Sequence, residues 1–450
     1  MRLRNTLILV VMVAILAGYF FFIEQPRHRR SREMARTELD VAAFGPSDAA
    51  ALTIARPDVT LEFVRRQGRW WMTSPLTDRA DDGAVNRLLG VLSDAEIARD
   101  LGPQADLAPF GLGDTAVDIT VLSANGEKLA ELDVGNLTVD KEYAYARLPG
   151  GGVILVPTGI RRYARGEIDS YRYDRVVEFQ LAAVASFTVR GPDRSMTWRR
   201  TSEGEWQTEE HGRTIEGHKA TIEEILRRLR AMRVREFVPE AEVPVVEPFD
   251  APARSVSVVM DDGSAETVRV GRRMESLVYA GARLGEGAGE RIALTDTSIL
   301  DIFEPTVFDL RDRHVLRFDR AKLEKIVLES PDAQVTVVRP GEEWGYPNPS
   351  MGRIDQSKVG RILAAISDLE YTGIVDENPS SAPSYGLSNP DVRLTIFGES
   401  GVPLDQLVAR RSDADPEVYV VSSRSAGMVV KVVEGDLDAV VDLFENLRQP

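Results

Sequence analysis

Four histidines and no cysteine set the limits of what this 450-residue chain can do to a substrate or a metal. Thiolate metal sites, cysteine nucleophiles and disulfides are excluded. His211 and His218 lie close in sequence, with Glu209, Glu210 and Glu216 beside them. Imidazole mixed with carboxylate is a donor set that holds borderline divalent cations. In sequence this pair alone looks able to hold a metal, but it falls in a polar loop before a helical pattern that recurs elsewhere without histidine. We therefore expect a solvated loop, with no metal ligand and no cofactor. His28 stands in a basic flank, and His314 follows Arg311-Asp312-Arg313. A Ser-His-acid set can be assembled from distant residues, and no Gly-x-Ser-x-Gly elbow marks its nucleophile. No catalytic residue is assigned.

Gly111-Leu112-Gly113-Asp114-Thr115-Ala116 has the letters of a dinucleotide-binding fingerprint. That chemistry needs a strand before the glycines and a helix N-terminus after them, to meet the pyrophosphate. Here a loop precedes and a strand pattern follows, so a phosphate cradle is not expected. The Gly285, Gly287, Gly289 cluster reads as a hairpin loop.

The elements that would position these residues recur. Val85, Leu88, Leu89 and Leu92 have the spacing of one helix face, and moving by 137 positions gives Ile222, Ile225, Leu226 and Leu229. A further 137 gives Val359, Ile362, Leu363 and Ile366. A tryptophan precedes each helix after a polar turn (Trp70, Trp206, Trp344), and Asp81 or Asp82, and Asp355, suit the N-cap. After each helix comes a loop with an aromatic (Pro109-Phe110-Gly111-Leu112, Pro248-Phe249-Asp250, Ser384-Tyr385-Gly386-Leu387). Then come strands that end at Val134-Gly135, Val270-Gly271 and Val408-Ala409. Tyr145, Tyr279 and Tyr419 fall in the strand after that. Asp174-Arg175 and Asp312-Arg313 recur before Val176 and Val315, and we read them as pairing the junctions between units. The pattern predicts an α+β fold of three tandem repeats of about 137 residues. Each is a mainly antiparallel sheet with a covering helix and a terminal helix. The repeats span 49–180, 181–320 and 321–450.

Ahead of them, Leu7 to Ile23 carries no charge and is long enough to span, roughly 25 Å of helix. Tyr19-Phe20-Phe21-Phe22 occupies the place where a cleavable leader needs small residues. Residues 1–6 are thus a tail, 7–23 a transmembrane anchor in the bilayer, and 24–48 a basic, polar stalk. The segment 1–36 holds seven Arg against two Glu, leaving 48 basic and 69 acidic residues beyond it. An acidic body argues against nucleic acid as partner. Arg27, Arg29, Arg30, Arg32 and Arg36 outnumber Arg2 and Arg4, so the positive-inside rule alone places the body in the cytoplasm.

The tryptophan turn, the aromatic-Gly-Leu loop, the Val-Gly strand end and the N-terminal anchor resemble the domain-of-unknown-function family 4340 (DUF4340). The resemblance covers nearly the whole chain, with Phe249-Asp250-Ala251 departing from the triplet in the middle copy. It implies a single-pass protein of the bacterial cytoplasmic (inner) membrane, with an extracytoplasmic (periplasmic) body, accessory to an ABC-type transport system similar to the gliding-motility auxiliary transporters. The family defines no catalytic residues. We expect a non-enzymatic binding protein with a protein partner in a transporter or envelope complex. Its rival is a membrane-tethered envelope hydrolase or metal-dependent enzyme. The acidic, proline-rich stretch with Glu240, Glu242 and Glu247 is the expected partner surface, where charge favours orientation and on-rate.

Overall fold

The computed structural model describes residues 41–239, 254–284, 291–331, 333–348, 353–379 and 385–447. The anchor at 7–23, the stalk up to residue 40, the Gly285 to Gly289 cluster, and Glu240, Glu242 and Glu247 lie outside the described residues. Among the described residues no helix is long and apolar enough to cross a membrane.

The first sheet opens with β1 (Ala49–Ala55), β2 (Thr60–Arg66), β3 (Arg69–Ser74) and β4 (Asp78–Arg79), a four-stranded meander. Helix α1 (Asp82–Ser93) follows, then β5 (Arg99–Gly102), β6 (Val117–Ser123), β7 (Lys128–Leu137), β8 (Tyr143–Arg147), β9 (Val153–Pro157) and α2 (Thr158–Ala164). The strand order is β4-β3-β2-β1-β6-β7-β8-β9-β5, and every pairing between these strands is antiparallel.

The second sheet repeats that order with β10 (Val184–Arg190), β11 (Ser195–Arg200), β12 (Trp206–Glu210), β13 (Arg213–Gly217), β14 (Val234–Phe237), β15 (Arg254–Met260), β16 (Ala265–Met274), β17 (Leu277–Ala282) and β18 (Arg291–Asp296). Its helix is α3 (Lys219–Ala231), and a 3-10 turn, Thr297–Phe303, stands where the first sheet has α2. A short helix, α4 (Val307–Leu310), follows.

The third sheet is shorter, in the order β20-β19-β22-β23-β24-β25-β21. Its strands are β19 (Lys325–Glu329), β20 (Gln334–Val338), β21 (Gly373–Asp376), β22 (Val392–Phe397), β23 (Pro403–Arg411), β24 (Val418–Ser423) and β25 (Val429–Val433). Helices α5 (Gln356–Ser367) and α6 (Glu434–Glu445) accompany them. Beyond β20, among the described residues, only single bridges continue the pairing, Val338 to Gly345 and Gly345 to Arg353. The chain groups into two compact units, Met1–Thr214 with Ala220–Asp309, and Ile215–Lys219 with Leu310–Pro450. Two of the three sheets lie in the first unit.

Each helix forms where the apolar spacing placed it. Asp81 caps α1 by accepting from Ala84 N at 2.5 Å, and Asp355 caps α5 from Ser357 N at 2.8 Å. The face Val85, Leu88, Leu89, Leu92 is fully buried, and the apolar core under the first sheet draws only on residues Val41 to Tyr171. Replacing one such leucine by alanine costs about 2–5 kcal/mol. Trp70, Trp206 and Trp344 are buried, and the Trp70 indole N–H donates to Asn86 of α1 at 3.1 Å. The first residue of the helix returns to the tryptophan backbone: Asp82 accepts from Trp70 N at 2.8 Å, and Gln356 from Trp344 N at 2.9 Å.

In the first sheet the other recurring motifs meet in one contact. Phe110 of the aromatic-Gly-Leu loop meets Tyr145 of β8 edge-on, with centroids 5.0 Å apart. The loop turns at Gly111, whose φ of 67° suits glycine, and crosses the strand end at Gly135. A Cβ at Gly135 would lie 2.2 Å from Phe110 O, so only glycine admits the loop. Gly111 to Ala116 is followed by β6 and not by a helix, which removes the geometry a dinucleotide needs. We predict that Gly135→Ala destabilises the full chain by about 1–3 kcal/mol. Gly113→Ala, with nothing within 4 Å of the added atom, should stay within about 0.5 kcal/mol. Equal losses in urea unfolding would refute the steric account.

Candidate functional site

An extended strap follows the first sheet. Its backbone pairs on both sides: Asp81 N donates to Tyr171 O (2.8 Å) and Tyr173 N to Arg79 O (2.9 Å), while Val176 N donates to Met232 O (3.2 Å) and Val234 N to Asp174 O (2.7 Å). A second strap, inside the second unit, repeats the scheme. His218 N donates to Leu310 O (2.8 Å), Asp312 N to Glu216 O (2.8 Å), Val315 N to Leu369 O (2.9 Å) and Tyr371 N to Arg313 O (2.9 Å). These bonds make Asp174 the structural counterpart of Arg313, and Arg175 that of His314. The two Asp-Arg dipeptides are therefore out of step by one residue, because the second strap sits two positions further along than the helices do. The alignment by letters matched them wrongly.

With the register corrected, the ion pairs prove to be reversed. In the first strap Asp174 pairs with Arg233 and Glu178 with Arg79, the latter at 3.2 Å. In the second, Arg313 pairs with Glu370 at 2.9 Å, and Arg317 with Glu216.

The first strap also closes over a buried polar network that nothing in the sequence pattern announced. Arg79 is buried and donates to Trp70 O and Ala80 O, both at 2.6 Å, and to Asp82. Arg172 donates to buried Asp78 at 2.9 Å, and Arg291 to Tyr173 O at 2.7 Å. Phe237 lies between two cations, 3.7 Å from the Arg172 guanidinium carbon and 5.8 Å from that of Arg291. Glu266 accepts from Glu178 N at 2.7 Å. Its counterpart in the second unit, Asp405, accepts from Arg317 N at 3.3 Å and Ser425 N at 3.1 Å. Burial, with help from the Glu178 carboxylate, pushes the Glu266 carboxyl up to about 7, against the pull of Arg291 and Arg69. Most of these groups engage one another, with Arg291 Nη2 left as a buried donor that has no hydrogen bond among the described residues; we read the network as a scaffold.

The second strap carries the chemically distinct residues. His211 lies apart from His218, exposed at the tip of the β12-β13 hairpin, where positive φ at His211 and Gly212 makes a tight primed turn. His218 instead joins His314 and Glu370: one ligand atom from each lies within 4.8 Å of the others. The backbone explains the meeting. His314 and Glu370 are the non-hydrogen-bonded partners of an antiparallel bridge, the kind whose side chains approach most closely. Gly217 bridges Arg311 on the other edge, so strand alternation puts His218, Asp312 and His314 on one face. The rings of His218 and His314 are 5.6 Å apart. His314 Nδ1 is hydrogen-bonded to Asp312, which raises the affinity of the imidazole for its proton, and Asp312 is held below the usual carboxylate range. Sequence reasoning missed Glu370 and the role of His314 because the partners lie on three separate segments. The spacing Glu216-x-His218 against Asp312-x-His314 was the available signal.

A groove of about 390 Å³ lies along α3 in the first unit, lined by Ala220, Ile225, Ile302 and Pro305. Its charged rim residues Glu224 and Arg228 pair with each other.

Glu266 gives the first unit a pH dependence. An acid whose pKa is raised on folding binds its proton more tightly in the native state, so stability falls as pH rises from about 4.5 to about 7 and stays lowered above that. The loss is on the order of 3 kcal/mol. Glu266→Gln keeps an acceptor for Glu178 N, and we predict that it removes this slope and stabilises the protein at pH 8. Parallel stability curves for both proteins across that range would refute the assignment.

Comparison of the sequence with curated proteins gave no match. A family model described as a domain of unknown function (DUF4340) matches residues 70–252 and 248–390. These two overlapping segments take in α1, α3, α5 and both straps, and on this match the chain belongs to the DUF4340 family.

Proposed function

We propose that the chain is a non-enzymatic, membrane-anchored accessory protein. In this reading Leu7 to Ile23 holds it in the bacterial cytoplasmic membrane, and three modules at 49–180, 181–320 and 321–450 form an extracytoplasmic arm. The arm binds a protein partner in an ABC-type transport or envelope complex. One observation carries the reading: the residues that recur between the sheets are engaged in holding the fold. Asp81 and Asp355 cap helices, Asp82 and Gln356 bond the tryptophan turns, and Gly135 admits the Phe110 loop. A scaffold repeated for its shape leaves the partner surface to the parts that differ. The acidic stretch with Glu240, Glu242 and Glu247 is our candidate, as charge that steers association.

A second reading, a membrane-tethered envelope hydrolase or metal-dependent enzyme, is favoured by the grouping of His218, His314 and Glu370. The two part in cells. Photo-cross-linking from positions 240, 242 and 247 should capture an integral membrane or envelope protein, and replacing 236–250 by a neutral linker should abolish that capture with protein abundance unchanged. A fluorescent protein that matures only in the cytoplasm, fused after Pro450, should stay dark. A bright fusion would overturn the topology. Loss of cellular function in His218→Ala at normal abundance, with partner capture intact, would replace the binding arm by the enzyme.

A further inference from the structure

We propose that His218, His314 and Glu370 form a binding site for one divalent transition cation of the zinc type. The cation would tie the second strap to its two flanking strands.

Two imidazoles and a carboxylate are the donors such a cation prefers, leaving a fourth position for water. All three side chains are half-buried, within reach of solvent yet fixed by backbone pairing on adjacent strands. Ligands about 2.0–2.2 Å from a tetrahedral ion lie roughly 3.5 Å from one another. The present limit of 4.8 Å therefore closes by about an ångström through side-chain torsions alone. His314 is already oriented as a ligand. Asp312 engages its Nδ1, which leaves Nε2 to face the cation in the carboxylate-imidazole-metal arrangement. Arg313 pairs with one oxygen of Glu370 at 2.9 Å, which fixes the carboxylate beside the two imidazoles.

The first strap supplies an internal control. Its equivalent positions hold Asp81, Arg175 and Arg233, and a cation cannot sit between two guanidinium groups. The His218 position is informative for another reason. It immediately precedes α3, where Asp81 and Asp355 cap the other two helices, and losing an acidic cap typically costs about 1 kcal/mol. Histidine at this place departs from a repeated structural device, and metal ligation gives the departure a use.

The test uses the full chain in detergent, purified through a tag without histidine, stripped with a chelator and titrated with zinc ion alone. One equivalent should bind and raise the unfolding temperature, and cobalt ion should develop the visible absorption of a low-symmetry site. His314→Ala and Glu370→Gln should each lower affinity by more than the about 10–100-fold expected for Asp312→Asn, which removes a positioning residue. The far-UV spectrum shows whether each variant is folded, and Glu370→Gln can keep its contact with Arg313, which an alanine would lose. His28→Ala and His211→Ala should bind as the parent does. The proposal is overturned if zinc binds no tighter than millimolar, or if His28→Ala or His211→Ala removes the binding while the folded Glu370→Gln variant retains it.

Discussion

Backbone groups taken out of water must find partners, and the straps show how this protein meets that constraint. An extended segment has hydrogen-bonding edges on both sides. The first strap gives one edge to residues 79–81, at the entrance to α1, and the other to residues 232–234, at the exit of α3. The second gives its edges to residues 216–218 and 369–371. A linker that served as a mere tether would need none of these bonds. Because it is a strand, its side chains alternate between faces and meet their neighbours in a fixed register, so the chemistry beside each strap is determined by backbone pairing before any side chain is chosen.

That register makes the reversal of charge meaningful. The backbone scheme is the same in both straps, and hydrogen bonds alone would let either strap pair with either set of neighbours. The side chains forbid it. If the second strap lay in the place of the first, Arg317 would face Arg79 and Arg313 would face Arg233; in the opposite exchange Glu178 would face Glu216 and Asp174 would face Glu370. Exposed pairs such as Asp174 with Arg233 add only about 0–1 kcal/mol to stability. Like charges at the same places act against the wrong pairing, which is how partners of similar shape are told apart. The buried Arg79, with two backbone carbonyls and two carboxylates around it, makes the first strap the more demanding of the pair.

The periodic parts of the fold were legible because they obey local rules. The faces of α1, α3 and α5, the aspartate caps of α1 and α5 and the buried tryptophans follow from spacing and residue type. The antiparallel strands follow from alternation. What could not be read depends on contacts between distant segments. The aromatic-Gly-Leu loop and the Val-Gly strand end looked like separate weak signals, and only the approach of Phe110 O to Gly135 shows them to be two sides of one contact. The network around Arg79 joins residues from 69 to 291, which no window of sequence contains. The straps were misread for a simpler reason. Two inserted positions shift them relative to the helices, so matching the letters Asp-Arg placed Arg175 against Arg313, while the hydrogen bonds place it against His314.

That shift is what hid the histidines. Read by letters, His314 has no counterpart, and His218 belongs with His211 in one loop. Read by hydrogen bonds, His218 replaces a capping aspartate, His314 replaces Arg175 and Glu370 replaces Arg233, three changes at positions that touch. In the first strap the pair directly across the bridge is arginine against arginine, held apart because Arg175 reaches Arg230 O and Arg233 reaches Asp174. In the second the same bridge sets imidazole against carboxylate, so the side chains converge. A fold that repeats its backbone while inverting its charges can turn a place of repulsion into a place of attraction without moving a strand. It is at such a position, fixed by the scaffold and free to vary in chemistry, that the second strap departs from the first.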